Sequence, residues 1–167
     1  AYDPDDFIQY LAVINPKTIS VENIVRLKNL PFALALSEDG NYLYLGQDSI
    51  HRYNIQNGQF DEHFGHQLPG GQIQYCNSLL VMAETDNVVA FWQGTQEIVV
   101  QYRAGQRVGN FLSVGGRSNR SLTSHGKNIY YYTGDAFQPS IDQIAVKKDE
   151  LLVLPDKYSY VSKSFHT

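Results

Sequence analysis

A short pattern recurs along this chain: an apolar run, an acidic-glycine turn, a second apolar run, then two more short runs divided by polar turns. It is clearest where Ala33-Leu34-Ala35-Leu36 and Tyr42-Leu43-Tyr44-Leu45 flank Ser37-Glu38-Asp39-Gly40-Asn41, followed by Ser49–Asn54, the turn Gln56-Asn57-Gly58 and Gln59–Phe64. Apolar residues alternating with period two mark strands, and Gly, Asn and Asp mark the turns between them. Repetition at roughly 40 residues constrains architecture before any single side chain does, because a unit that cannot bury its own surface must stack on others like it.

One partial and three fuller units are readable. The partial unit pairs Ile8–Ile14 with Ser20–Leu27 across Asn15-Pro16-Lys17-Thr18, where Pro presets one turn dihedral and Asn tolerates strained geometry. The second runs Phe32–Ser37, Asn41–Leu45, Ser49–Asn54 and Gln59–Phe64; Tyr42 and Tyr44 fall on one face and Leu43 and Leu45 on the other, which predicts packing on both faces. The third is predicted as Gln72–Cys76, Ser78–Ala83, Val88–Trp92 and Glu97–Tyr102, with turns near Asn77, Asp86-Asn87 and Gly94. The fourth follows as Arg120–Ser124, Ile129–Thr133, Ile141–Val146 and Leu151–Leu154. Residues 103–119, rich in Gly and Arg, read as an insertion loop within a single domain spanning 1–167, with a smaller insertion near Ala136–Pro139. Tyr158–Phe165 alternates as a strand opening a further unit.

These units imply an all-β fold, a β-propeller whose blades are four antiparallel strands stacked around an axis, with about three full blades and partial terminal blades. At about 40 residues per blade the chain holds about four, the lower limit for closure. Either the tail strand completes the first partial blade, or the chain is a piece of a larger propeller; the second reading is favoured. Open blades expose backbone edges and apolar faces, so a remaining propeller segment or a protein partner is expected to cover them.

Composition fits this class and excludes others. Twelve Tyr and eight Phe against one Met favour strands. A net charge of −4 gives no reason to expect nucleic acid as a partner. No apolar run approaches the ~18–20 residues of a membrane span. Cys76 is the single cysteine, which excludes an internal disulfide and a cysteine-built zinc site and leaves a buried small apolar role.

The residues Ser37-Glu38-Asp39-Gly40, Tyr42-Leu43-Tyr44-Leu45 and Asn57-Gly58 give Leu34–Phe60 a resemblance to the bacterial YVTN-type propeller repeat. Gly126-Lys127-Asn128-Ile129-Tyr130-Tyr131-Tyr132 echoes its turn and second strand, with His125 where the acidic residue would stand. The resemblance implies a surface, periplasmic or secreted interaction platform, hence an extracellular, periplasmic or cell-surface setting. The expected function is a noncatalytic binding or assembly surface of a larger extracytoplasmic propeller protein. Relatives with similar blades include sugar-lactone hydrolases, so the alternative is a metal-dependent lactonase-like hydrolase with its site in the axial channel; Glu84, Asn87 and Asp135 are ligand types it would draw on.

Two clusters carry candidate chemistry. Arg103, Arg107, Arg117, Arg120 and Lys127 lie between Glu97 and Asp135, an interval with no acidic side chain. Forked guanidinium donors among glycines suit a phosphate, sulfate or carboxylate, so an acidic partner or ligand is the expectation, with a solvated loop as the plainer reading. Asp61, His63 and His66 are ligand types for zinc or another transition metal, although their spacing matches no metal signature. Asp3, Asp5 and Asp6 offer oxygens to calcium but are interrupted by Pro4. Asn119-Arg120-Ser121 forms a glycosylation sequon, and the rings of Phe91-Trp92 and Tyr130-Tyr131-Tyr132 serve either a partner or glycan or the packing between blades. No Gly-x-Ser-x-Gly elbow is present, so nucleophilic catalysis has no anchor.

Overall fold

The Ser37–Asn41 turn closes on its own side chains. Ser37 Oγ donates to Asp39 Oδ1 at 2.6 Å, Asn41 N donates to the same oxygen at 3.0 Å, and Tyr42 N donates to Ser37 Oγ at 2.9 Å. Gly40 sits at φ +72°, the left-handed region that glycine enters without a Cβ clash. The turn therefore delivers two short strands in fixed antiparallel register, Leu34 opposite Leu45 and Leu36 opposite Leu43.

A computed structural model of the chain describes residues 9–65, 74–82, 87–94, 96–114, 120–125, 128–133, 140–147 and 150–154. Among them are fourteen strands: β1 (Gln9–Asn15), β2 (Ser20–Leu27), β3 (Ala33–Leu36), β4 (Tyr42–Gly46), β5 (Ile50–Asn54), β6 (Gln59–Phe64), β7 (Tyr75–Val81), β8 (Val88–Gln93), β9 (Ile98–Arg103), β10 (Gln106–Ser113), β11 (Arg120–His125), β12 (Asn128–Thr133), β13 (Ser140–Lys147) and β14 (Glu150–Val153). They form a two-stranded hairpin, β1-β2, and three four-stranded antiparallel meanders, β3-β4-β5-β6, β7-β8-β9-β10 and β11-β12-β13-β14. No helix among the described residues is long and apolar enough to cross a membrane.

The sheets stack face to face, with the first strands adjoining: β3 lies beside β7 and β7 beside β11. Alternation explains the stacking. On β8, Val88, Ala90 and Trp92 enter a core shared with Ala33, Tyr44, Ile50 and Phe64 of the second sheet, while Val89 and Phe91 enter one shared with Leu122, Ile129, Tyr131 and Ile144 of the fourth. A smaller core joins Leu11, Val13, Val25 and Leu27 of the hairpin to Leu43, Leu45 and Tyr53. Backbone approaches closely at the second junction, where Cys76 N donates to Gln47 O at 2.7 Å. A Cβ on Gly46 would lie 2.7 Å from Cys76 Sγ, so only glycine fits.

Three expectations need correction. Gln72–Cys76 and Ser78–Ala83 are not two strands about a turn at Asn77: β7 runs through it, pairing Cys76 with Trp92 and Ser78 with Phe91, so Asn77 is the extra residue of a β-bulge. The third sheet therefore still lacks an outer strand at Tyr102. Residues 106–113, expected within the 103–119 insertion loop, supply it as β10. Two of the glycines read as loop punctuation lie in a tight turn at Ala104-Gly105, where even Ala104 takes a φ of 46°, and a bulge at Gly109-Asn110. The first strands begin at Ala33, Tyr75 and Arg120, so the units are nearly equal in length and the final unit needs no 103–119 insertion before it. Tyr158–Phe165 and Ala136–Pro139 lie outside the described residues.

The β10 bulge also locks the outer rim. Asn110 Nδ2 donates to Leu151 O at 3.2 Å and Asn110 Oδ1 accepts from Leu151 N at 3.1 Å, so one amide satisfies both backbone groups of Leu151 on β14. Asn110→Ala should lower unfolding free energy by about 1–3 kcal/mol, since it leaves two partly buried backbone groups without a protein partner. Urea denaturation measures this; an unchanged midpoint would mean water replaces the amide without loss.

Candidate functional site

Of the five cations expected to act together, the three among the described residues do not share a place in the fold. Arg103 ends β9 at the tight turn into β10, and Arg107 stands on β10 opposite Tyr102, so both lie at the end of the third sheet where β9 turns into β10. Arg120 opens β11, the first strand of the next sheet, and lies at the opposite end, reached only after the length of β10. Arg117 and Lys127 lie outside the described residues. Arg103 and Arg107 share that end of the sheet but not a face, since Arg103 pairs with Gln106 and Arg107 with Tyr102, and both lie away from Arg120.

Arg103 Nε donates to Asn87 Oδ1 at 3.2 Å and borders a cleft of about 320 Å³ between the second and third sheets, with Arg52, Glu62, Tyr44 and Tyr102 on its walls. Arg52 organises the other side: Nε meets Asp61 Oδ1 at 2.8 Å, Nη1 meets Glu62 Oε2 at 2.9 Å, and the guanidinium lies 4.6 Å from the Tyr42 ring centroid. The hydrogen bond that Arg52 donates to Asp61 holds it more firmly protonated than an ordinary arginine. Burial pushes the Tyr102 hydroxyl well above the usual phenol range, so it stays neutral in the cleft wall.

The metal-ligand cluster is taken apart by a bulge. Arg52 pairs with Glu62 and Tyr53 with Phe60, which makes Asp61 the extra residue on β6. Its carboxylate turns to Arg52, whereas His63 stacks on His51 with centroids 6.2 Å apart. His51 and Arg52 are consecutive in β5 and point to opposite faces, so Asp61 and His63 do not share the face that simple alternation assigned them. His66 lies outside the described residues, and among those described no group of three His, Cys, Asp or Glu side chains is placed to hold a metal. Cys76 is fully buried with its thiol 3.6 Å from Ser78 O, and burial raises its pKa far above the ordinary thiol value, which suits packing and not reactivity.

A second groove, of about 410 Å³, was not legible in the sequence. It lies between the end of β2 and the β4–β5 turn, with Arg26, Lys28, Ser49, His51 and Phe60 around it. Ser49 Oγ is 3.0 Å from His51 Nε2 and donates to Asp48 Oδ1 at 3.2 Å. The carboxylate thus contacts the serine and not the ring, which lacks the base-orienting link of a nucleophilic triad. Burial lowers the His51 pKa below the ordinary 6.5, against the attraction of Asp48. The groove offers two cations, the Asp48 carboxylate, a neutral imidazole, a hydroxyl and an aromatic edge, a set suited to binding.

No protein-family model matches the chain, and no curated protein matches it in sequence. Solved structures of similar shape include U3-55K (TM-score 0.62, 15% identity, 90% of this chain and 49% of that one) and the WD40 repeats of RRP9 (TM-score 0.63, 15% identity, 90% and 48%). The dihydro-heme d1 dehydrogenase NirN in complex with DHE is also similar (TM-score 0.56, 14% identity, 93% and 36%). With its stacked four-stranded meanders, this chain has a β-propeller repeat fold, and among the described residues the sheets do not close into a ring. It spans about half the length of the U3-55K and RRP9 structures.

The lowered His51 pKa sets a sign. Above 6.5 the ring is neutral folded and unfolded; as pH falls from there through the folded value the unfolded state takes up the proton first, and stability is lost. Thermal unfolding should show a decline from about pH 7 to about pH 5 that is shallower in His51→Gln. Equal slopes would show that the ring protonates freely in the fold.

Proposed function

We propose that this chain is a segment of a larger extracytoplasmic propeller and acts as a noncatalytic binding and assembly surface. One observation carries the reading: exposed large apolar side chains gather at one end of the stack. Tyr10, Ile14, Val21 and Ile24 of the hairpin and Leu30, Phe32, Leu34 and Leu36 on and before β3 are each more than half exposed. Solved monomers keep contiguous apolar patches small, and larger ones mark places where other protein sits.

The Tyr-rich β4 and its Ser-x-Asp-Gly turn support a YVTN-type repeat, and an extracytoplasmic setting follows from that resemblance. Rigid sheets hold the turns at each end for contact with a partner, and Arg107 at the β9–β10 end, or the Arg26–Lys28 groove, would receive acidic groups. The remainder of the propeller is the first partner this surface needs.

The isolated chain should bind an apolar dye such as ANS and self-associate with rising concentration, as measured by fluorescence and sedimentation. A monomer that binds no dye at any concentration would contradict the segment reading.

A further inference from the structure

The hairpin occupies a defined place in an unfinished sheet. β6 leads to β7 and β10 leads to β11, each passing from the outer strand of one sheet to the first strand of the next. β2 leads to β3 in the same way, so β2 holds a fourth position and β1 a third. Among the described residues nothing occupies the first and second positions, and the edge of β1 away from β2 has no strand on it. Backbone groups along such an edge are a template for pairing.

The neighbouring sheet shows what is missing. Leu34 pairs with Leu45 and Leu36 with Leu43, so all four leucines share one face of the second sheet. The hairpin covers the outer part of that face, Leu43, Leu45 and Tyr53, and Asn23 Nδ2 donates to Tyr53 Oη at 3.1 Å across the junction. It stops short of the first strand: Leu34 is 53% and Leu36 56% exposed. The residues of β1 nearest this gap, Leu11 and Val13, are only partly buried although they join the same core. The uncovered strip continues an interface the hairpin already makes, and it begins where the hairpin lacks strands.

We propose that the open edge of β1 and the Leu34–Leu36 strip form one seat for an antiparallel pair of strands from outside this chain. Its second strand pairs along β1, and its first strand lies over Leu34 and Leu36. The occupant is an apolar-alternating β-hairpin: backbone N–H and C=O groups supply pairing to β1, and side chains at every second position meet the leucines. This inference rests on the segment reading above and names the place where the remaining propeller attaches. The described sheets support the occupant's size, since each full sheet has four strands and this one has two. The length of the similar structures supports its source, since this chain spans 49% and 48% of them.

A fluorescein-labelled synthetic peptide copying residues 32–47, the first two strands of the second sheet with their own turn, is the probe. It is titrated into the 167-residue chain up to about 1 mM and followed by anisotropy. Saturable binding is expected, with none by a scrambled peptide. Leu34→Glu/Leu36→Glu should weaken it at least about tenfold, because the apolar burial is lost. Both positions are half exposed, so the variant should keep the parent's circular dichroism and unfolding midpoint. Peptide binding that survives the double substitution unchanged would overturn the seat. No binding by a monomeric chain would also overturn it, whether the edge is filled by the chain's own residues or is no edge at all. A dimer abolished by the double substitution, which the peptide cannot displace, would assign the seat to a second copy and overturn the proposed occupant. Dye binding without peptide binding removes the seat alone; absence of both removes the segment reading with it.

Discussion

The third sheet is apolar on both faces, and the rest of the structure depends on covering it. Val88, Ala90 and Trp92 point one way along β8 and Val89 and Phe91 the other, all essentially inaccessible to solvent. Each of the larger of these side chains contributes about 1.5–3 kcal/mol when buried, so leaving either face wet would remove much of a stability that is typically about 5–15 kcal/mol for a whole domain. A four-stranded sheet of this kind has no independent existence. It is stable as the middle of a stack.

Outward from that sheet the cover thins. The second and fourth sheets are tied to it by extensive cores and by polar locks, Leu122 N to Ser78 Oγ and Asn110 to Leu151 on one side and Cys76 N to Gln47 O on the other. The hairpin is held by a smaller core, by Asn23 on Tyr53, and by Gln47 Nε2 on Asn29 O at 2.6 Å. Function, on this account, follows the gradient. The well-covered middle provides rigidity, and the poorly covered end provides the surface where more protein attaches.

The sequence showed most clearly what local chemistry decides. β3 and β4 alternate cleanly about a turn whose Ser, Asp, Gly and Asn bond to one another, so both strands and their register were legible. Bulges hid the rest. Asn77 looked like a turn because an unpaired Asn inside a strand has the composition of one; Gly105 and Gly109 looked like a loop because a tight turn and a bulge use the same residue. Asp61 shows the effect on a site: one extra residue on β6 turned its carboxylate to Arg52 and left His63 on the other face. The groove around Arg26, Lys28, Ser49 and His51 had no local signature, because its walls come from the end of β2, from β4 and the turn after it, and from β5 and β6, which are far apart in the sequence.

Native-state amide exchange resolved by sheet tests the stacking account most directly, because it reads the opening free energy of each unit separately. The account predicts that amides of β8 and β9 exchange only with global unfolding, those of the second and fourth sheets slightly more easily, and those of β1 and β2 by local opening well below the global value. Uniform protection across the hairpin and the third sheet would contradict it, since an end with so little cover could not then be the open face of an unfinished stack.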